Sequence, residues 1–475
     1  NYLGQFDQVL ANAPWTFAPE APGLYRHPQN RRAYELEIDA HVSQGRLAVE
    51  WRYSARRFRQ ETVAALAEAF LHTLQALIRH CLSPRAGTIA PADFPLAGLS
   101  QEALDALPYD RREIADIYPL SPMQEGMLFD TLMAPESGIY VMQDRFDLRG
   151  AVDQNIFRRA WQSIVDRHDA LRTSFLWEMS TRPCQVVHRR VELSFEYHDW
   201  RTLPDAEARL EALLAEERRR GFDFLKPPLM TVRLFRLGED RYRFVRSFHH
   251  ILIDAWCLSP MLVELRDSYQ ALCRGEAPDF GPAPQFRRYI AWLQGRDDQS
   301  AEQFWRNNLQ GFAEATPFNV DRPAAAGEIN EGVGDAILFL SEEETATLSA
   351  LAQRCRLTPN TFVQAAWALM MSRYSGRKEI LFRVTVSGRP AELPGSEWML
   401  GVFINTLPLR VSVAVHQSLP EFLQGLFARN LEIRQYEHVP LGRIQGWSEI
   451  PREQPLFESL LVFENYPVDP GLRTG

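Results

Sequence analysis

Lysine is nearly absent from this chain. Of 52 basic residues only Lys226 and Lys378 are lysine, and the rest are arginine. The arginines are spread along the whole length. They read as the coding bias of a GC-rich bacterial gene, not as an arginine-rich functional patch. An excess of positive charge is also missing: 61 acidic residues leave a formal charge of -9, which argues against a general nucleic-acid binder. No apolar run reaches 18 residues, so no membrane-spanning helix is expected. The five cysteines (Cys81, Cys184, Cys257, Cys273, Cys355) include no CxxC pair. That excludes a zinc knuckle, predicts no metal site and fits a reducing cytoplasm. An initial methionine is missing too. The chain opens at Asn1 inside a strand-like stretch and reads as a fragment, so a leader peptide is neither indicated nor excluded.

What is present is ordinary globular material, 45% apolar and 24% charged. At 475 residues the chain should split into two to four packing units. Residues 1–82 have an organisation of their own. Tyr34, Leu36 and Ile38 alternate with charged residues, Ser43-Gln44-Gly45 offers a turn, and Leu47, Val49, Trp51 and Tyr53 alternate again. This predicts a hairpin, followed by an amphipathic helix from about Phe58 to His80. Residues 83–112, punctuated by Pro84, Gly87, Pro91, Pro95, Gly98 and Pro108, read as an interdomain linker. A larger unit begins near Glu113, and a second Pro/Gly-rich seam at 275–285 divides it into 113–278 and 279–475. In it, helices are expected near 154–168, 205–220, 260–273, 286–294, 301–308, 341–355 and 358–374. Strands are expected near 170–176, 230–237, 241–248, 335–340, 379–387 and 405–413. Few clean βαβ repeats appear, so the fold class is α+β or mixed α/β.

The most chemically suggestive stretch is Arg246-Ser247-Phe248-His249-His250-Ile251-Leu252-Ile253-Asp254-Ala255-Trp256. Tyr242, Phe244 and Phe248 alternate into it, which predicts a buried strand that ends at the histidines. Neighbouring strand side chains point to opposite faces. One histidine should therefore face a channel and the other should be held in the scaffold.

His249-His250-Ile251-Leu252-Ile253-Asp254 resembles the HHxxxD signature of condensation domains of nonribosomal peptide synthetases. Six further segments resemble that family's motifs in order: Tyr118–Phe129, Arg167–Phe175, Arg288–Leu293, Gly401–Arg410, His438–Leu441 and Leu461–Pro467. Asn1-Tyr2-Leu3-Gly4-Gln5-Phe6-Asp7 resembles the last motif of epimerisation domains. The layout is thus similar to an epimerisation tail, a linker and a condensation domain that lacks its C-terminal end.

The resemblance implies two chloramphenicol-acetyltransferase-like lobes in a V with a central tunnel. It implies amide formation between a donor thioester, D-configured in this subtype, and the amine of an L-aminoacyl acceptor. Both substrates would hang from phosphopantetheine arms of carrier domains, beside an adenylation domain, with no cofactor bound by the chain itself. His250 would face the tunnel as general base or as a positioning group, and His249 would be scaffold. Asp254 would be structural, with Arg172 as its implied partner. Trp256 is read as packing, with a border on the acceptor pocket as the alternative. Ser387, in the Val386-Ser387-Gly388-Arg389 turn expected to bridge the lobes, and Asn405 are candidates for the channel lining. The family usually has glycine where this chain has Ala255. The rivals are an epimerisation domain, disfavoured because no EGHGR-like motif is found, and a catalytically silent docking platform for carrier proteins.

Overall fold

The computed structural model describes residues 2–5, 34–43, 45–83, 89–178, 182–317, 334–414, 416–451 and 454–464. Asn1, Phe6 and Asp7 of the epimerisation-like motif and Asn465–Pro467 of the last condensation motif lie outside them. The chain divides into two compact units, Asn1–Thr88 and Ile89–Gly475.

In the first unit β1 (Tyr2–Gln5) pairs parallel to β2 (Leu36–Ser43), which forms an antiparallel hairpin with β3 (Arg46–Tyr53). Helix α1 (Gln60–Leu82) follows, and Trp51 of β3 meets Phe70 of α1 edge-on at 5.8 Å. The expected hairpin and helix are both present.

The second unit begins inside the predicted linker. Phe94 and Leu104 are buried against Ile114, Ile117 and Leu176, so residues from Ile89 onward belong to a folded core. Apolar residues spaced through the proline-rich stretch supply that anchorage. Strands β4 (Ile114–Pro119), β6 (Thr173–Leu176) and β7 (Cys184–His188) form an antiparallel sheet in the order β4-β7-β6. Helix α2 (Pro122–Met133) leaves β4 through a capping box: Ser121 and Gln124 satisfy each other's backbone N–H groups, and Pro122 takes the first helical position.

A four-stranded sheet, in the order β5-β10-β9-β8, is built from β5 (Val141–Arg149), β8 (Ser194–Asp199), β9 (Met230–Arg236) and β10 (Arg241–His249). Helices α3 (Gln154–Arg167), α4 (Ala206–Arg220) and α5 (Leu258–Cys273) pack on it. Phe157, Trp161, Phe244, Phe248 and Met261 fill one core between sheet and helices.

A third sheet, in the order β12-β11-β13, comprises β11 (Glu379–Val386), β12 (Asn405–Ser412) and β13 (Leu460–Leu461). Helix α6 (Arg287–Gln294) lies against β4, and around the third sheet stand α7 (Asp298–Leu309), α8 (Glu342–Cys355), α9 (Pro359–Ser375), α10 (Leu419–Arg434) and α11 (Leu441–Trp447). Trp305, Phe382, Leu407 and Leu409 lie in its core. A smaller cluster joins the two halves: Tyr118 and Val187 from the first sheet meet Phe286 and Tyr289 of the α6 segment and Met399 and Phe403 of the loop before β12. The architecture is mixed α/β, as expected.

The strand expected at 335–340 does not form. Leu338 and Phe339 are exposed there, and no ladder includes them. A strand needs a neighbour to take its backbone hydrogen bonds, and the described residues supply none at that place.

Candidate functional site

Strand β10 stops at His249, the last residue in register with β5, opposite Val141. His250 is the first residue beyond the ladder, and its backbone N–H donates to the Tyr140 carbonyl at 2.8 Å. The two imidazoles therefore part company at the strand end, as the alternation predicted.

His249 is buried. Its Nδ1 accepts the Ile251 N–H at 3.1 Å, so Nε2 carries the proton and faces the Thr131 hydroxyl at 3.1 Å. That hydroxyl in turn donates to the Met127 carbonyl at 2.8 Å. Both ring nitrogens are thus spent on scaffold, and burial pushes this imidazole down to about 3. His250 differs. It is half-buried, and its Nδ1 is shielded from water with no hydrogen-bond partner among the described residues. A buried polar nitrogen left unsatisfied calls for an explanation.

The loop after the histidines is held from two sides. From the first motif, buried Gln124 donates through Nε2 to the Ile251 carbonyl at 2.9 Å, and Gln185 donates to the Pro119 carbonyl and to Gln124. From the far half of the unit comes the hold on Asp254, whose side chain is wholly buried. Its Oδ1 accepts from Arg389 Nη2 at 2.9 Å and its Oδ2 from the Phe403 N–H at 2.9 Å. The Cys257 thiol donates to Oδ1 at 3.4 Å, and the Asp254 N–H donates to the Gly401 carbonyl at 3.2 Å. Burial, with Asp254 next, pushes the Cys257 thiol up to about 12, so it stays a thiol.

Arg172 is not the partner of Asp254. It pairs with Asp169 at 2.7 Å and donates to the carbonyls of Val165, His188 and Arg189. The turn Asp169–Arg172 keeps it close to its own helix end, where carbonyls need donors. The cation that neutralises Asp254 is Arg389, in the turn expected to bridge the lobes. Arg389 also donates to the Met399 carbonyl at 2.8 Å and to the Ser396 carbonyl, and lies 4.2 Å above the Phe403 ring.

Two glycines permit this clamp. At Gly388 φ is +62°, and a Cβ would sit 1.8 Å from the Phe403 carbonyl oxygen. At Gly401 a Cβ would fall 2.1 Å from the Phe286 ring.

The remaining predicted residues are placed as follows. Ala255 is exposed at the start of a short helical turn without positive φ, so its methyl group meets neither strain nor crowding. Trp256 is half-buried in the same turn. Ser387 is half-buried at the end of β11. Asn405 is spent structurally: Nδ2 donates to the carbonyls of Glu437 and Val439 at 2.7 Å each, and Oδ1 accepts the Thr406 N–H. Sequence reasoning missed Arg389 as the counter-ion, the Gln124 tie to Ile251 and the role of Tyr140. The polar glutamine inside an apolar motif was a usable signal for the second; nothing local marks the third. Among the described residues no group of His, Cys, Asp or Glu could hold a metal, and no helix is long and apolar enough to cross a membrane.

The depressed histidine makes a pH prediction. Folding favours the neutral form of His249, so its contribution is complete above about pH 6.5 and is lost as pH falls toward 3. His188, held down to about 4 by burial and then by Arg172, acts with the same sign. Unfolding free energy should therefore drop between pH 6.5 and 4, approaching about 1.4 kcal/mol per pH unit for each histidine. Denaturant titration of His249→Asn should show a shallower slope; a slope equal to that of wild type would refute the assignment.

The model of the condensation domain family matches residues 114–474. The chain belongs to the condensation domain family. Two similar curated proteins are linear gramicidin synthase subunits C and D of Brevibacillus parabrevis, 40% and 42% identical over 476 and 478 residues. Each alignment covers 100% of this chain, so it includes the unit before residue 114, but only 6% and 9% of those synthetases. Among solved structures, the first condensation domain of the calcium-dependent antibiotic synthetase, with a bound substrate analogue, matches with a TM-score of 0.61 at 20% identity, over 75% of this chain and 83% of that one. The four-domain synthetase holo-AB3403 matches with a TM-score of 0.61 at 21% identity, over 74% and 27%. The fold is that of condensation domains of nonribosomal peptide synthetases, which form amide bonds. In such synthetases they work with carrier and adenylation domains.

Proposed function

We propose that this chain forms a peptide bond in the cytoplasm between a D-configured donor thioester and the amino group of an L-aminoacyl acceptor, each on the phosphopantetheine arm of a carrier domain. The observation that carries the reading is His250: an imidazole with an unengaged nitrogen, on a loop clamped by Gln124, Arg389 and Phe403. The donor configuration rests on the epimerisation-like residues ahead of the condensation motifs.

In the proposed reaction the acceptor amine attacks the thioester carbonyl carbon. His250 takes the proton that the nitrogen sheds as the C–N bond forms. Collapse of the tetrahedral oxyanion breaks the C–S bond, and the proton passes to the departing thiolate. An imidazole suits both transfers because its ordinary pKa lies near neutrality. Holding the two arms against one clamped loop supplies the alignment. Asp254 has no part in proton transfer, since both its oxygens accept fixed donors. Its role is to keep the loop and the far half in register.

A two-carrier condensation assay with D- and L-aminoacyl donors tests the reading. The D donor should be preferred by about 10-fold or more, the discrimination a misfit in a shaped pocket supplies. Equal turnover of the two epimers would remove the stereochemical part, and no amide product from either would remove the whole.

A further inference from the structure

Helix α2 addresses the residues at the end of β10 one after another. Its Thr131 hydroxyl meets Nε2 of His249 at 3.1 Å, and its Gln124 amide donates to the Ile251 carbonyl at 2.9 Å. Those two positions are about two turns apart and share one face of the helix. Between His249 and Ile251 stands His250, the residue that the proposed reaction uses. Its link to α2 runs through Tyr140. The Tyr140 hydroxyl donates to Asp130 Oδ2 at 2.9 Å, and the Tyr140 carbonyl accepts the His250 N–H at 2.8 Å. Burial, with Asp130 next, pushes the phenol up to about 12, so it keeps its proton and remains a donor.

Tyr140 makes this link from a conformation that a tyrosine seldom takes. The Val141 N–H donates to the Gly138 carbonyl at 3.1 Å and closes a turn whose third residue is Tyr140, with φ of +62°. That position favours glycine or asparagine, and a bulky side chain there is strained. Among the described residues the other non-glycines with positive φ are Asp205 and Arg356, and both flank helices, at the start of α4 and the end of α8. Tyr140 flanks the reacting strand end instead. Continued by one residue, the β5–β10 register sets it opposite His250. A regular pair would exchange two backbone bonds. The bond from the His250 N–H is made, but among the described residues the Tyr140 N–H returns none to the His250 carbonyl. The ladder therefore ends on a single bond, and the turn decides how His250 leaves the strand. Ser137 fixes the turn to the end of α2: its hydroxyl donates to the Ala134 carbonyl at 2.6 Å and accepts the Ile139 N–H at 3.2 Å.

Backbone strain of this kind persists where the surrounding contacts over-determine it, and such places cluster at functional sites. Glycine would take the turn without strain but would give up the reach to Asp130. Resting on the condensation reading, we propose that Tyr140 is a positioning residue: its strained turn and its tether to Asp130 set the backbone of His250, and through it the imidazole, against the acceptor amine.

Substitutions at Tyr140 separate tether from strain. Tyr140→Phe loses the tether and keeps the ring. Tyr140→Ala loses ring and tether and keeps the strain, whereas Tyr140→Gly also relieves the strain. Denaturant unfolding should therefore give Tyr140→Gly a higher midpoint than Tyr140→Ala. Condensation should not follow that order: kcat should fall about tenfold or more in all three variants, with KM within about twofold of wild type. Asp130→Ala should match Tyr140→Phe, the double variant should be no worse than either, and Asp130→Asn, which keeps an acceptor, should recover part of the rate. Amide exchange, read by NMR on protein with isotope-labelled histidine, needs no turnover. The His250 N–H should exchange about fivefold or more faster in Tyr140→Phe than in wild type. The His168 N–H, which donates to the Ile164 carbonyl at the end of α3, should be unchanged. Turnover that tracks the unfolding midpoints, with Tyr140→Gly recovering over Tyr140→Ala, overturns the proposal. So does His250 exchange that Tyr140→Phe leaves as it was. A wild type that forms no amide while the exchange still shifts would remove the condensation reading and leave the placement of His250 standing, so the two failures give different results.

Discussion

Arg389→Ala should lower the stability of the second unit by about 3–5 kcal/mol, the loss expected when one partner of a buried ion pair is removed and the other stays behind. Asp254 would be left wholly buried, its carboxylate keeping only the Phe403 backbone N–H and the Cys257 thiol as donors. The two residues stand 135 positions apart and tie the histidine loop to the turn after β11. Amide formation should fall along with stability, because the same pair sets where His250 stands. A double-mutant cycle with Asp254→Asn separates this from general damage. Denaturant unfolding of the four proteins should give a coupling energy of about 1 kcal/mol or more, as contacting charged residues do. The cycle of Asp254 with Arg172 should give a coupling near zero. A large coupling to Arg172 and none to Arg389 would restore the partner that the family resemblance implied.

That contrast shows where the sequence was legible. Helices with a capping residue and a clear apolar face could be placed within a few residues: α3, α8 and α9 start at Asp153, Ser341 and Thr358, whose side chains accept from the first turn. Strand β10 was legible because its apolar residues alternate. Strand β5 was not, because Asp144, Arg145, Asp147 and Arg149 mask its alternation. The two carboxylates are paired across the ladder, Asp144 with Arg246 and Asp147 with Arg243, while Arg145 pairs with Glu211 of α4. Such pairing depends on a neighbour strand about 100 residues away, which a local pattern does not register. Residues 335–340 failed in the opposite sense. Their apolar run suggested a strand, but strand formation is decided by the partner.

The same logic applies at the site. The histidine pair, the carboxylate and the glycine-arginine turn could all be read as motifs. Which arginine reaches which carboxylate could not, because the choice depends on backbone carbonyls. Arg172 is captured by those of Val165, His188 and Arg189, and this leaves Arg389 for Asp254. Ala255 is the converse case. It stands where the family usually has glycine, and it is unstrained in the fold.

The two histidines should separate function from stability. His250→Ala should reduce condensation by about 10²–10⁴-fold, the range for loss of a positioned acid-base group. It should change unfolding free energy little, since it removes a nitrogen that already lacks a partner. His249→Ala should do the reverse at first. It strips the acceptor from the Ile251 N–H and the donor from Thr131, leaving buried groups unpaired at about 1–3 kcal/mol. Its effect on turnover should follow from the loosened loop, and lowering the temperature should recover part of it, as it should not for His250→Ala. Kinetics then distinguish the two roles open to His250. A proton-transfer role predicts that kcat and kcat/KM fall together, whereas a pure positioning hydrogen bond to the bound amine predicts a raised KM with kcat largely kept. If His250→Ala turned over like wild type, the unengaged nitrogen would have no catalytic meaning, and the docking-platform reading would then account better for the clamped loop.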